Sequence, residues 1–177
     1  MHNRKKLLAI CGSTRAKSVN LHLLHRIAEM YKKDIDFSIF TQIDQIPHFN
    51  PDLDTDTPPE AVSTFRRQIE EVDGILICTP EYVYSLPGSL KNAIEWTVST
   101  TLFTDKPTAL ITAASSGQKA HEALTNLMFT IGAKIGPTLL IQAPKTKVSI
   151  DGVITDEPTL INIRQLMDTF MEMLSHN

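Results

Sequence analysis

The sequence predicts an α/β fold in which a parallel sheet is covered by helices on both faces. Three observations point there. Short apolar runs alternate with longer helical patterns five times along the chain. The central runs, Leu7–Cys11 and Gly74–Cys78, are continuously apolar, as strands buried on both faces are. With 177 residues, 42% of them hydrophobic, the chain is long enough to bury about 70% of its unfolded surface in one domain spanning residues 1–177.

Leu7–Cys11 is the first predicted strand. Leu21, Leu24, Ile27, Ala28 and Tyr31 follow at spacings of three and four, one apolar stripe of a helix over 18–33. Ile35–Phe40 alternates apolar with polar and predicts strand two. A Pro- and Asp-containing loop occupies about 41–57. Helix two runs from Pro58 or Pro59, placed in its first turn, to Val72. Gly74–Cys78 is strand three, 88–100 helix three, Thr108–Thr112 strand four, 119–133 helix four and Thr138–Gln142 strand five. Asp156 caps a last helix reaching Leu174, with Pro158 in its first turn.

The charge balance excludes several functions. A net charge of -3 and the lack of a long basic stripe argue against nucleic acid. No apolar stretch approaches the ~18 residues of a membrane span. Arg4–Lys6 before Leu7–Cys11 resembles a secretion leader, but the apolar core is too short, so the expected location is cytoplasmic. Cys11 and Cys78, inside apolar runs, read as buried free thiols. Seven glycines, no two closer than four residues, exclude G-x-G-x-x-G and the P-loop pattern.

In a parallel sheet the ligand crevice lies beyond the carboxyl ends of the strands. Three loops there carry the candidates. Gly12-Ser13-Thr14-Arg15-Ala16-Lys17-Ser18-Val19-Asn20 opens a helix and offers hydroxyls, a guanidinium and an amide beside helix-terminal N–H groups. It reads as a phosphate cradle built from side chains. Thr79-Pro80-Glu81-Tyr82-Val83-Tyr84-Ser85-Leu86-Pro87-Gly88 is stiffened by its prolines. It suits a flat heteroaromatic ring and, equally, a loop whose tyrosines cover the core. Ala113-Ala114-Ser115-Ser116-Gly117-Gln118-Lys119 lets a ligand approach the backbone, although an ordinary strand-to-helix turn has the same composition.

Two of these segments resemble the NAD(P)H-dependent FMN reductases of the flavodoxin-like superfamily, a group that includes bacterial quinone, chromate and azo-dye reductases. Gly12-Ser13-Thr14-Arg15-x-x-Ser18-x-Asn20 is similar to the family's phosphate loop. Pro80-Glu81-Tyr82-x-Tyr84-Ser85-x-Pro87-Gly88-x-Leu90-Lys91-Asn92-Ala93-Ile94-Glu95-Trp96 is similar to its long P-E-Y-N-x-S-x-P-G-x-L-K-N-A-I-D-W signature. Weaker likeness extends from Pro47 to Asp156. The resemblance implies a flavodoxin-like three-layer sandwich with strand order 2-1-3-4-5. It implies that Ser13, Arg15, Ser18 and Asn20 hold the FMN phosphate, that Pro80, Glu81, Tyr82 and Val83 line the isoalloxazine, and that Ser115, Ser116 and Gly117 touch its other side. Val19 and Ser85, inside the two motifs, complete the candidate set.

The implied activity is hydride transfer from NADPH or NADH through flavin N5 to a small-molecule acceptor: a quinone, azo compound, free flavin or metal oxyanion. No side chain is expected to act as nucleophile or general base, and no metal is expected. A homodimer or homotetramer is implied. The alternative is a flavin-bound electron carrier with little reductase activity; a flavin-free nucleotide-binding module is a third reading. Two departures from the family stand out. Its asparagine after Pro-Glu-Tyr is Val83, and the Gly-Gly pair of many relatives after Gly117 is absent.

Other residues are expected to do less. His22 and His25 read as surface histidines, His121 as a solvated helix start, Met167, Met171 and Met173 as packing. Ile94 and Trp96 read as core or subunit contact without chemistry.

Overall fold

The computed structural model describes residues 4–149 and 151–176. The strands are β1 (Lys5–Cys11), β2 (Ile35–Phe40), β3 (Gly74–Thr79), β4 (Pro107–Ala114) and β5 (Lys134–Gln142). All pairings are parallel and the order is β2-β1-β3-β4-β5, as expected from the resemblance. The helices are α1 (Val19–Tyr31), α2 (Glu60–Glu70), α3 (Gly88–Glu95), α4 (Gln118–Thr130) and α5 (Glu157–Ser175).

Alternation along each central strand sends side chains to two cores. Leu7, Ala9, Leu76, Cys78 and Ile111 pack under α1 and α5. Leu8, Ile10, Ile75, Ile77 and Leu110 pack under α2, α3 and α4. The result is three layers, with all strand carboxyl ends at one edge. Cys11 and Cys78 are register partners on β1 and β3, both buried and both free. Burial pushes both thiols up, so neither is poised as a nucleophile.

Three boundaries differ from expectation for physical reasons. β5 begins at Lys134, not Thr138, although Gly136-Pro137 reads as a breaker. It is an edge strand, where proline is tolerated, and the β4 register shifts between Thr108 and Leu110 to absorb the extra residue. Helix α3 ends at Glu95 instead of 100. Arg66 of α2 takes the Trp96 carbonyl through Nε at 2.8 Å, and Thr100 Oγ1 closes on Thr97 O at 2.7 Å. Hydroxyl side chains compete with helical bonding in that stretch. Pro59 stands at the N-cap position of α2 rather than inside its first turn. The Pro- and Asp-containing loop carries two short 3-10 turns, Ile43–Gln45 and Pro51–Leu53. Asp156 caps α5 as expected, accepting from Thr159 N at 3.0 Å.

Among the described residues no helix is long and apolar enough to cross a membrane.

Candidate functional site

A cleft of about 320 Å³ opens at the carboxyl edge of the sheet. Nine candidate residues line it: Ser13, Arg15, Ser18, Val19, Asn20, Pro80, Glu81, Tyr82 and Ser115. Val83, Ser85, Ser116 and Gly117 do not.

The floor is the turn from β1 into α1. Gly12 is needed there because a Cβ would stand 2.4 Å from Thr79 Oγ1. Ser18 occupies the N-cap position of α1, yet its hydroxyl makes no capping bond, and the first turn holds no acidic residue. The first N–H groups of α1 therefore keep free donors and the positive end of the helix dipole. Ser18 is 4% exposed and Ser13 5%, and the Ser13 hydroxyl accepts from Arg15 N at 3.4 Å. Arg15 is exposed at the mouth, and its guanidinium has no hydrogen-bond or ion-pair partner among the described residues.

Asn20 works differently from its expected part. Its Nδ2 donates to Ala113 O at 3.2 Å and its Oδ1 accepts from Cys78 Sγ at 3.3 Å. The amide ties α1 to β3 and β4, which leaves the backbone N–H of Asn20 for an anion.

The second loop is a tight hairpin. Tyr82 N donates to Ser85 O and Ser85 N to Tyr82 O, each at 3.0 Å. Val83 and Tyr84 between them have φ of 51° and 57°. Positive φ at both central positions is the type I′ arrangement, which favours Asn-Gly. The family's asparagine thus has a backbone reason, and Val83 sits there strained and 95% exposed. The Glu81 carboxylate turns away from the cleft to the third loop: Oε1 accepts from Gly117 N at 3.2 Å and Oε2 from Ala120 N at 3.1 Å.

In the third loop Ser115 reaches the cleft, whereas Ser116 Oγ donates to Gln118 Oε1 at 2.7 Å. His121 is not a solvated helix start: its Nδ1 lies 2.9 Å from Thr112 Oγ1 and the ring is half-buried.

A fourth segment lines the cleft that sequence reasoning passed over, Ala143, Pro144, Lys145 and Thr146 after β5. It lies beyond the carboxyl end of a strand, so the crevice rule points to it as well. Lys145 is exposed and, with Arg15, gives the cleft two cations. The one acidic lining residue, Glu81, has its charge occupied by α4. The donor set therefore suits a phosphate, and the strip Pro80–Tyr82 suits an aromatic ring. Among the described residues no group of three or more His, Cys, Asp or Glu could hold a metal.

Comparison with known proteins gives the family and the fold of the chain. Residues 5–145 match the family model of NADPH-dependent FMN reductase. A 2-hydroxy-1,4-benzoquinone reductase of a Burkholderia species is 31% identical over 175 residues, 94% of this chain and 92% of its own. An NAD(P)H:quinone oxidoreductase of Solanum tuberosum is 33% identical over 172 residues, 92% of this chain and 89% of its own. Among solved structures, FerB of Paracoccus denitrificans, a flavoenzyme NAD(P)H:(acceptor) oxidoreductase, superposes with a TM-score of 0.81 at 28% identity, covering 97% of this chain and 98% of its own. The chain belongs to the NADPH-dependent FMN reductase family.

Proposed function

We propose that the protein is an FMN-dependent NAD(P)H oxidoreductase that reduces a quinone or another small-molecule acceptor, with the flavin held in the cleft at the carboxyl edge of the sheet. The observation that carries this reading is the unspent donor set at the start of α1. The Ser18 hydroxyl caps nothing, the Arg15 guanidinium pairs with nothing among the described residues, and no acid occupies the first turn. Such a set is matched to a phosphate dianion.

When bound, FMN supplies the redox chemistry, accepting hydride from NADPH or NADH at N5 and passing it to the acceptor. The chain's own residues bind and orient. Ser13, Ser18, Arg15 and the N–H groups of Val19 and Asn20 hold the phosphate. Pro80, Glu81 and Tyr82 supply a rigid backbone strip along one side of the ring, and Ser115 the other. Ser116 and Gly117 act behind that wall rather than on it, and Val83 and Ser85 shape the hairpin. Tyr82, 45% exposed, leaves the outer side of the cleft open to the nicotinamide and then to the acceptor. The chain is also proposed to self-associate as a homodimer or homotetramer, supported by the apolar side chains of Val83, Tyr84, Val98 and Phe129 carried on its surface.

The test is titration of the protein with FMN, followed by stopped-flow mixing of the complex with NADPH and with NADH. Uptake of one FMN per chain and rapid bleaching of the flavin by a nicotinamide are expected. Uptake without bleaching by either donor makes the protein an electron carrier instead, and absence of uptake rejects the cofactor.

A further inference from the structure

We propose that Glu81 is a positioning residue whose carboxylate, by capping α4 from the second loop, sets the spacing of the two loops that flank the flavin ring; the proposal rests on the FMN reading of the cleft.

Helix α4 cannot cap itself. Its N-cap residue is Gly117, held at φ 89° and without a side chain. That φ strains any residue with a side chain, and a Cβ there would also press on Leu140 Cδ1 at 2.7 Å, so glycine is favoured over a capping residue. The first turn contains no acid either. In a capping box two side chains satisfy the N–H groups of the N-cap and N3 residues reciprocally. Here these are Gly117 and Ala120, and one carboxylate takes both, at 3.2 and 3.1 Å. That carboxylate belongs to a different loop, 36 residues earlier in the chain.

The consequence reaches the cleft because Glu81 lies between two wall residues. Pro80 before it and Tyr82 after it line the cleft, and Tyr82 is locked by its paired bonds to Ser85. Ser115 of the opposite wall lies two residues before Gly117. The carboxylate is thus a tie between the walls. It also places the only acidic lining residue against the positive end of a helix dipole, which keeps negative charge off a site that must take an anionic ligand.

Glu81→Gln is nearly isosteric but turns one acceptor into an NH2 group facing a backbone N–H. Three measurements test it in the full chain. Amide hydrogen exchange without ligand is expected to quicken at Gly117 and Ala120. The FMN Kd is expected to rise by about tenfold or more, the effect of losing a charged hydrogen bond that orders the site. The KM for a quinone acceptor is expected to rise more than kcat falls at saturating FMN. Glu81→Asp, which keeps the charge with a shorter reach, is expected to shift each quantity in the same direction by less, and keeps the test available if Glu81→Gln folds poorly. Leu174→Ala, a core truncation in α5 against Gly74, controls for stability: its melting temperature falls while its FMN Kd stays at the wild-type value.

Unchanged exchange at Gly117 and Ala120 overturns the tie. Faster exchange with wild-type FMN Kd and KM in both Glu81 variants overturns the positioning role and leaves a helix cap alone. An FMN Kd raised equally in Leu174→Ala overturns it too, since general destabilisation then suffices. Wild-type protein that takes up no FMN overturns the cofactor reading and the positioning role with it, and exchange still reports the cap on its own.

Discussion

Asn92 holds Phe49 from across the fold: its Oδ1 accepts the Phe49 N–H at 2.7 Å. Its Nδ2 donates to Pro47 O at 2.9 Å, and Trp96 Nε1, one turn on along the same stretch, donates to the same carbonyl at 2.7 Å. Phe49 completes the contact, its ring edge-on to Trp96 with centroids 5.1 Å apart. The asparagine and tryptophan of the long signature therefore pin the 41–57 loop over α3, and neither touches the cleft.

Asn92→Ala is expected to destabilise the protein by about 1–3 kcal/mol, the penalty for leaving partly buried donors and acceptors without partners. FMN affinity should not change. Urea unfolding of the variant without ligand, beside an FMN titration, checks both; a loss of affinity without a loss of stability contradicts the assignment.

Arg15 is the complementary case. Its side chain holds nothing within the protein among the described residues, so Arg15→Ala is expected to leave stability unchanged. FMN affinity should fall by roughly 1.5–3 kcal/mol, the range for hydrogen bonds to charged groups. Riboflavin, which lacks the phosphate, should bind the variant as well as it binds the wild type. Equal FMN affinity by fluorescence titration removes Arg15 from the phosphate site.

The legible part of the fold was its repeating part. Each buried strand is a local run of apolar residues, and each helix a local stripe, so the number of elements follows from the chain alone, whereas the strand order in the sheet came from the family resemblance. Tertiary compensation was not legible. The first half of β5 hides behind Gly136-Pro137 because these two residues form a bulge opposite Ala109 alone, which only the pairing with β4 reveals. The end of α3 depends on Arg66 of α2. At the cleft, the motifs named three loops that contribute to its lining, but not which way Asn20 and Glu81 turn. Both commit their side chains to partners far along the chain, Ala113 and Gly117. Lys145 escaped because it carries no motif, only a place at the end of a strand.

Val83 tests how backbone conformation selects residues at the hairpin. A β-branched residue at φ 51° is strained, and asparagine tolerates this region. Val83→Asn is expected to stabilise the protein by about 1 kcal/mol. Because the Val83 side chain lies outside the cleft lining, FMN affinity should be unaffected. A denaturation midpoint no higher than wild type means that the hairpin does not hold the strain its φ angles imply.

His121 makes stability depend on pH. Burial lowers its pKa below the ordinary 6.5, and the N-terminal end of α4 also disfavours a cation there. Lys119 and Glu122 beside it pair with each other at 2.9 Å, so neither charge is free to offset that burial. In the folded protein the ring stays neutral and keeps its bond to Thr112 Oγ1. Above pH about 6.5 it is neutral in both folded and unfolded chains and stability is independent of its titration. As pH falls through 6.5 the unfolded chain takes up the proton first, binds more protons than the folded one, and gains relative stability. The contribution is therefore present above 6.5 and is lost progressively down through the lowered folded value. His121→Gln removes this titration. Urea midpoints measured between about pH 7 and about pH 5 should fall more steeply for wild type than for His121→Gln, with the two curves converging toward acid. Parallel curves across that window rule out His121 as the titrating group.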